Sequence, residues 1–98
     1  MGILDGKVAI ITGAARGQGA AEARLLADHG AKVVITDVLA DLGHEVAREI
    51  GANARFVAHD VSSPEGWDEV VRSALDTFGG VDILVNNAAI SRALKLED

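Results

Sequence analysis

The segment Thr12-Gly13-Ala14-Ala15-Arg16-Gly17-Gln18-Gly19 lies between an apolar run, Val8-Ala9-Ile10-Ile11, and the stretch Ala20-Ala21-Glu22-Ala23-Arg24-Leu25-Leu26. That order reads as strand, glycine turn, helix. Glycines in such a turn let the backbone pass close to a pyrophosphate, and the first turn of the helix then offers unpaired N–H groups and a partial positive charge. Gly13, Gly17 and Gly19 are therefore candidates for a phosphate cradle. A tight turn with close helix packing is the competing explanation, and the strand and helix on either side favour the cradle.

Beyond this unit the hydrophobic period switches repeatedly, with no low-complexity linker and no short internal repeat. Strands are expected over 7–12, 32–37, 54–58 and 81–86. The first helix runs to about residue 28, where His29-Gly30 supplies a glycine stop. Leu39, Leu42, Val46 and Ile50 form one apolar stripe of a second helix that ends at Gly51. Ser63-Pro64 is an N-cap and first-turn pair for a third, in which Trp67, Val70, Val71, Ala74 and Phe78 share a face before Gly79-Gly80. Runs such as Val33-Val34-Ile35 and Ile83-Leu84-Val85 imply parallel strands buried on both faces. The expectation is a doubly wound βαβαβαβ sheet in the order 3-2-1-4, its ligand crevice at the carboxyl ends of strands one and four. The Gly13 turn, Asp37, Asp60 and Asn87 all fall on that rim.

A chain of 98 residues allows one domain over 1–98, and 49% hydrophobic residues with a formal charge of −6 describe an ordinary globular protein. An acidic balance argues against nucleic acid or an anionic membrane as partner. The absence of cysteine fits a cytoplasmic location and excludes thiolate metal sites. The stretch Met1 to Lys7 reads as neither leader nor anchor, and no apolar run reaches the ~18 residues of a membrane span. His29, His44 and His59 are far apart and lack metal-ligand spacing, so no metal site is expected.

These features together resemble the N-terminal portion of a classical short-chain dehydrogenase/reductase, over essentially the whole chain. The resemblance rests on Gly6-Lys7-Val8-Ala9, the Gly-x-x-x-Gly-x-Gly turn at Gly13, Gly17 and Gly19, Asp37, Asp60-Val61, and Asp82-Ile83-Leu84-Val85-Asn86-Asn87-Ala88-Ala89. It implies an α/β fold, a truncated Rossmann-type sheet, and a nicotinamide dinucleotide as cofactor. Asp37, at the end of the second strand, suits both adenosine ribose hydroxyls and repels a 2′-phosphate, which points to NAD; Arg16, before the second glycine, resembles the basic residue of NADP-preferring members. The resemblance further assigns Asp60 and Val61 to the adenine edge, with a helix-capping aspartate as the plainer explanation of Asp60. It has Asn86 and Asn87 tie the central strands together, sets Asn87 against the cofactor ribose, and makes Ala88 a further cofactor-binding position. Ala89 stands where glycine is usual, and Gln18 where the family has an aliphatic residue, which adds polarity near the pyrophosphate.

Hydride transfer in the family uses a tyrosine, with a lysine four residues further on, and these 98 residues contain no tyrosine. No catalytic residue is therefore expected among them, and the chain reads as a truncated product of an alcohol or ketone oxidoreductase. A non-catalytic nucleotide-binding module or homodimer, and an unstable remnant, are the alternatives. Without a fifth strand the apolar fourth strand forms a sheet edge, so self-association through that edge is also expected.

Overall fold

The computed structural model describes residues 2–60 and 63–87. Its elements follow the expected order: β1 (Val8–Thr12), α1 (Gly17–Asp28), β2 (Lys32–Asp37), α2 (Ala40–Ile50), β3 (Ala54–Ala58), α3 (Pro64–Phe78) and β4 (Ile83–Asn86). The four strands are parallel and lie in the order β3-β2-β1-β4, as the doubly wound plan requires.

Alternation along β1 and β2 divides the core between two faces. Ala9, Ile11, Val33 and Ile35 pack with Ala20 and Ala23 of α1 and Val46 of α2. Val8, Ile10 and Val34 pack with Val70 and Ala74 of α3 on the other face. Both central strands are thus sealed on two sides, which explains their unbroken apolar runs.

The edge strands depart from that description. Leu84 is 50% exposed, and Ile83 and Val85 are half-buried. Ile83 and Val85 pack against the α1/α2 face, which turns Leu84 to the opposite face, where α3 lies over β1 and β2. The expected stripe of α2 is also only partly buried: Val46 is in the core, but Leu39 and Leu42 are 38% and 45% exposed. Gly43 is buried in their place, because α2 rests so closely on β3 that a Cβ there would overlap the ring of Phe56.

Helix ends follow the local chemistry. The Ser63 hydroxyl accepts from the Gly66 N–H at 3.0 Å, with Pro64 in the first turn, and Gly79 closes α3 in the left-handed region at φ 85°. α1 ends through N–H donation from Gly30 to Ala27 and from Ala31 to Leu26.

Pairing of β4 with β1 stops two residues short of the expected Val81. The backbone N–H of Asp82 donates to the Val8 carbonyl at 2.8 Å, while the Val8 N–H donates to Asp82 Oδ2 at 2.9 Å. A side chain takes the donor that a further ladder bond would use. Because Val8 is buried, Asp82→Ala leaves its N–H without an acceptor and is expected to lower stability by about 1–3 kcal/mol. Urea unfolding measures that loss, and an unchanged midpoint would show that water replaces the carboxylate.

Candidate functional site

The rim at the carboxyl ends of β1, β2 and β4 gathers most of the expected residues. Gly13 and Gly17 hold φ of 63° and 62°, a region that L side chains rarely adopt, and these two positions bend the chain from β1 into α1. Gly19 is buried where α1 crosses the turn; a Cβ there would overlap the Gly13 carbonyl and lie 3.0 Å from Ala14 Cα. The close-packing explanation of Gly19 is therefore correct on its own terms, and it is also what brings the start of α1 against the turn.

The start of α1 is unlike that of α3. Its N-cap, Arg16, is extended and makes no side-chain cap, and no acidic residue occupies the first turn. Arg16, Gly17 and Gln18 are exposed, so the first N–H groups of this helix carry no side-chain cap in the described structure. Such a terminus has the donors and the dipole that suit an anion.

Asp37 sits beside the turn and engages it. Its Oδ2 accepts from the Ala15 N–H and its Oδ1 from the Leu39 N–H, both at 3.1 Å. The Ala14 N–H donates to the Thr36 carbonyl at 3.3 Å, so the turn is tied to the end of β2 by main chain and carboxylate together. This clasp is a role that the sequence does not reveal. Each carboxylate oxygen has a second lone pair, so the clasp is compatible with further donors.

On the other side, the Asn87 amide nitrogen donates to the Thr12 carbonyl and to Glu22 Oε1, each at 2.9 Å. The buried Thr12 hydroxyl donates to Asn86 Oδ1 at 3.1 Å, so successive asparagines bind β4 to β1. Gln18, expected to add polarity near the pyrophosphate, is exposed at the start of α1 and donates along its helix to Glu22 Oε2 at 3.3 Å. Glu22 was absent from the expected site; the spacing of Gln18 and Glu22, one helical turn apart, is the signal that could have found it.

Asp60 follows β3 and is exposed. Its backbone carbonyl accepts from the Ser63 N–H at 3.2 Å and the Ser63 hydroxyl at 3.1 Å, while Ser63 serves as the N-cap of α3. Thr36 joins this segment to the rim by donating to the His59 carbonyl at 3.4 Å. Val61 and Ala88, also expected at the site, lie outside the described residues, as does Ala89. Among the described residues no group of three or more His, Cys, Asp or Glu is placed to hold a metal ion, and no helix is long and apolar enough to cross a membrane.

The short chain dehydrogenase family model matches residues 7–98. The chain belongs to that family. It is 45% identical over 97 residues to a 3-alpha-(or 20-beta)-hydroxysteroid dehydrogenase of Mycobacterium tuberculosis, covering 99% of this chain and 37% of that protein. A trans-4-hydroxycyclohexanecarboxylate dehydrogenase of Sinomonas cyclohexanicum is 46% identical over 101 residues, covering 94% of this chain and 39% of the relative. The 3-ketoacyl-(acyl-carrier-protein) reductase of Brucella melitensis, solved in complex with NADH, superposes with a TM-score of 0.81 at 49% identity, over 83% of this chain and 34% of that one. The chain thus spans little more than a third of the length of these relatives. The family and the doubly wound fold inferred from the glycine turn and the asparagine pair are both borne out.

The packing of Gly19 on the Gly13 carbonyl yields a direct expectation. Gly19→Ala forces α1 away from the turn and costs about 1–3 kcal/mol of stability, read by urea unfolding. A variant as stable as the parent would mean that the turn is soft enough to absorb a methyl group.

Proposed function

We propose that this chain is the nucleotide-holding part of an NAD-dependent oxidoreductase acting on an alcohol or ketone. The observation that carries this reading is the α1 N-terminus, without a side-chain cap and facing a glycine turn, with Asp37 clasped beside it. A nicotinamide dinucleotide fits those residues. The N–H groups of the Gly13 to Gly19 turn would hold the pyrophosphate, and Asp37 would accept from ribose hydroxyls. Asn87 would lie against the second ribose with Ala88, and Asp60 and Val61 would meet the adenine edge. When bound, the cofactor supplies the hydride chemistry; the chain's own part is to hold and orient it and to exclude a 2′-phosphate. The NADH complex of the Brucella reductase supports the cofactor class. The preference for NAD over NADP rests on Asp37, whose carboxylate would repel a 2′-phosphate.

Acid/base catalysis needs a group positioned at the substrate oxygen, and the tyrosine that the family resemblance implies is not among these 98 residues. The isolated chain is expected to bind without turnover. The substrate is an alcohol or carbonyl compound in the broad sense that the names of its relatives share: a hydroxysteroid dehydrogenase, a hydroxycyclohexanecarboxylate dehydrogenase and a 3-ketoacyl-(acyl-carrier-protein) reductase. The uncovered Leu84 and Val81, 50% and 40% exposed, support self-association along β4. The absence of cysteine and the acidic charge support a cytoplasmic location and no nucleic-acid partner.

Because Asp37 also clasps the turn, Asp37→Ala would disturb any nucleotide. Asp37→Asn keeps an acceptor for the Ala15 N–H, gives up only the one for the exposed Leu39 N–H, and removes the charge. It is expected to weaken NADH by about 1 kcal/mol while NADPH holds or tightens. Calorimetric titration with both cofactors decides the point: equal weakening of the two would remove Asp37 as the selecting group, and no binding of either would remove the nucleotide reading.

A further inference from the structure

Glu22 joins the rim without a part in the reading above. It sits in the second turn of α1, half-buried, with each carboxylate oxygen engaged by a different element. Oε1 accepts from the Asn87 amide at 2.9 Å and Oε2 from the Gln18 amide at 3.3 Å. We propose that Glu22 is a positioning residue for the nucleotide site: it fixes the Asn87 amide so that Oδ1, an acceptor, is the atom Asn87 offers to a ligand. The proposal rests on the rim being a nicotinamide dinucleotide site.

The amide of asparagine is nearly symmetric in shape, and its partners decide which way it faces. Both partners of the Asn87 nitrogen are acceptors without hydrogens, the Thr12 carbonyl and the Glu22 carboxylate. A flipped amide would set oxygen against oxygen at both contacts, so only one orientation is tolerated. The nitrogen has two hydrogens and both are used. What remains for a ligand is Oδ1, which suits a hydroxyl donor and repels a phosphate oxygen. Phosphate and hydroxyl groups of one ligand are thereby directed to different places, the phosphate to the turn and the hydroxyl to Asn87.

Without Glu22 one hydrogen of the amide loses its partner, and the Thr12 carbonyl alone opposes the flip. Gln18 holds the Glu22 side chain in place from the same helix, so the assembly runs from the glycine turn to the end of β4 through three side chains.

The test combines NADH titration with nuclear magnetic resonance of the Asn87 side-chain NH2 group, assigned by its loss in Asn87→Ala. In the unaltered chain the two NH2 protons are expected to be slowly exchanging and shifted from free-amide positions; a free-amide signature overturns the proposal without any variant. Glu22→Ala is expected to move those resonances and weaken NADH about tenfold, the scale of one hydrogen bond to a charged group. Glu22→Gln, which keeps an acceptor of the same size, should return affinity to within about threefold. In the Asn87→Ala background, Glu22→Ala should change NADH affinity by less than about twofold. An equal loss in both backgrounds would show that Glu22 acts by supporting the fold and not through Asn87. Failure of the unaltered chain to bind NADH removes the nucleotide reading and this proposal together, whereas intact binding with unmoved Asn87 resonances in Glu22→Ala removes this proposal alone.

Discussion

The contact between Gly19 and the Gly13 carbonyl determines how the first helix meets the sheet. With no side chain between them, α1 crosses directly over the end of β1, and Ala20 and Ala23 drop into the core against Ala9 and Ile11. Small residues on both sides of that interface keep helix and sheet close. The same closeness brings the helix's first N–H groups to the carboxyl end of the central strand, where neighbouring strands lead away on either side. Helix packing and the placing of the helix N-terminus thus come from one set of glycines, so a substitution there disturbs both.

Around that contact, polar groups replace apolar ones at the ends of the strands. Thr12 and Thr36 are fully buried and each donates across to a neighbouring segment, to Asn86 and to the His59 carbonyl. Asp37 and Asn87 then tie β2 and β4 to the turn and to the last residue of β1. A buried polar group without a partner costs more than a hydrogen bond gains, so a belt in which these groups satisfy one another tolerates little rearrangement. The belt gives a rigid floor to the rim at the carboxyl ends of the strands, while the apolar residues below it supply the stability.

Much of this architecture is legible in the sequence because it depends on local patterns. The apolar runs of β1 and β2, the glycine turn, the Ser63 cap and the Gly79 stop each state their structure within a few residues. What is not legible depends on which strand lies beside which. The exposure of Leu84 follows from β4 being at the sheet edge and α3 lying over β1 and β2 instead, and the late start of β4 follows from the Asp82 carboxylate reaching Val8. Asp37 is readable as a ribose ligand by its place at a strand end, but its clasp on Ala15 requires the turn to fold back over β2. Glu22 is least visible, since its partner Asn87 is 65 residues away and meets it only once β4 has paired with β1.

The anionic cofactor proposed for this acidic chain would meet an electrostatic conflict, and its resolution is local. A net charge of −6 acts through the whole surface, but at physiological ionic strength charges beyond about 8 Å are largely screened. Within that distance the start of α1 has exposed N–H groups, no acidic residue in its first turn, and Arg16 at its cap. The carboxylates that do approach are already committed: Asp37 to the Ala15 and Leu39 N–H groups, Glu22 to the amides of Gln18 and Asn87. Their charge is offset by donors. Oriented donors at short range therefore offset the unfavourable net charge at this rim, which is the local condition that the proposed dinucleotide would need.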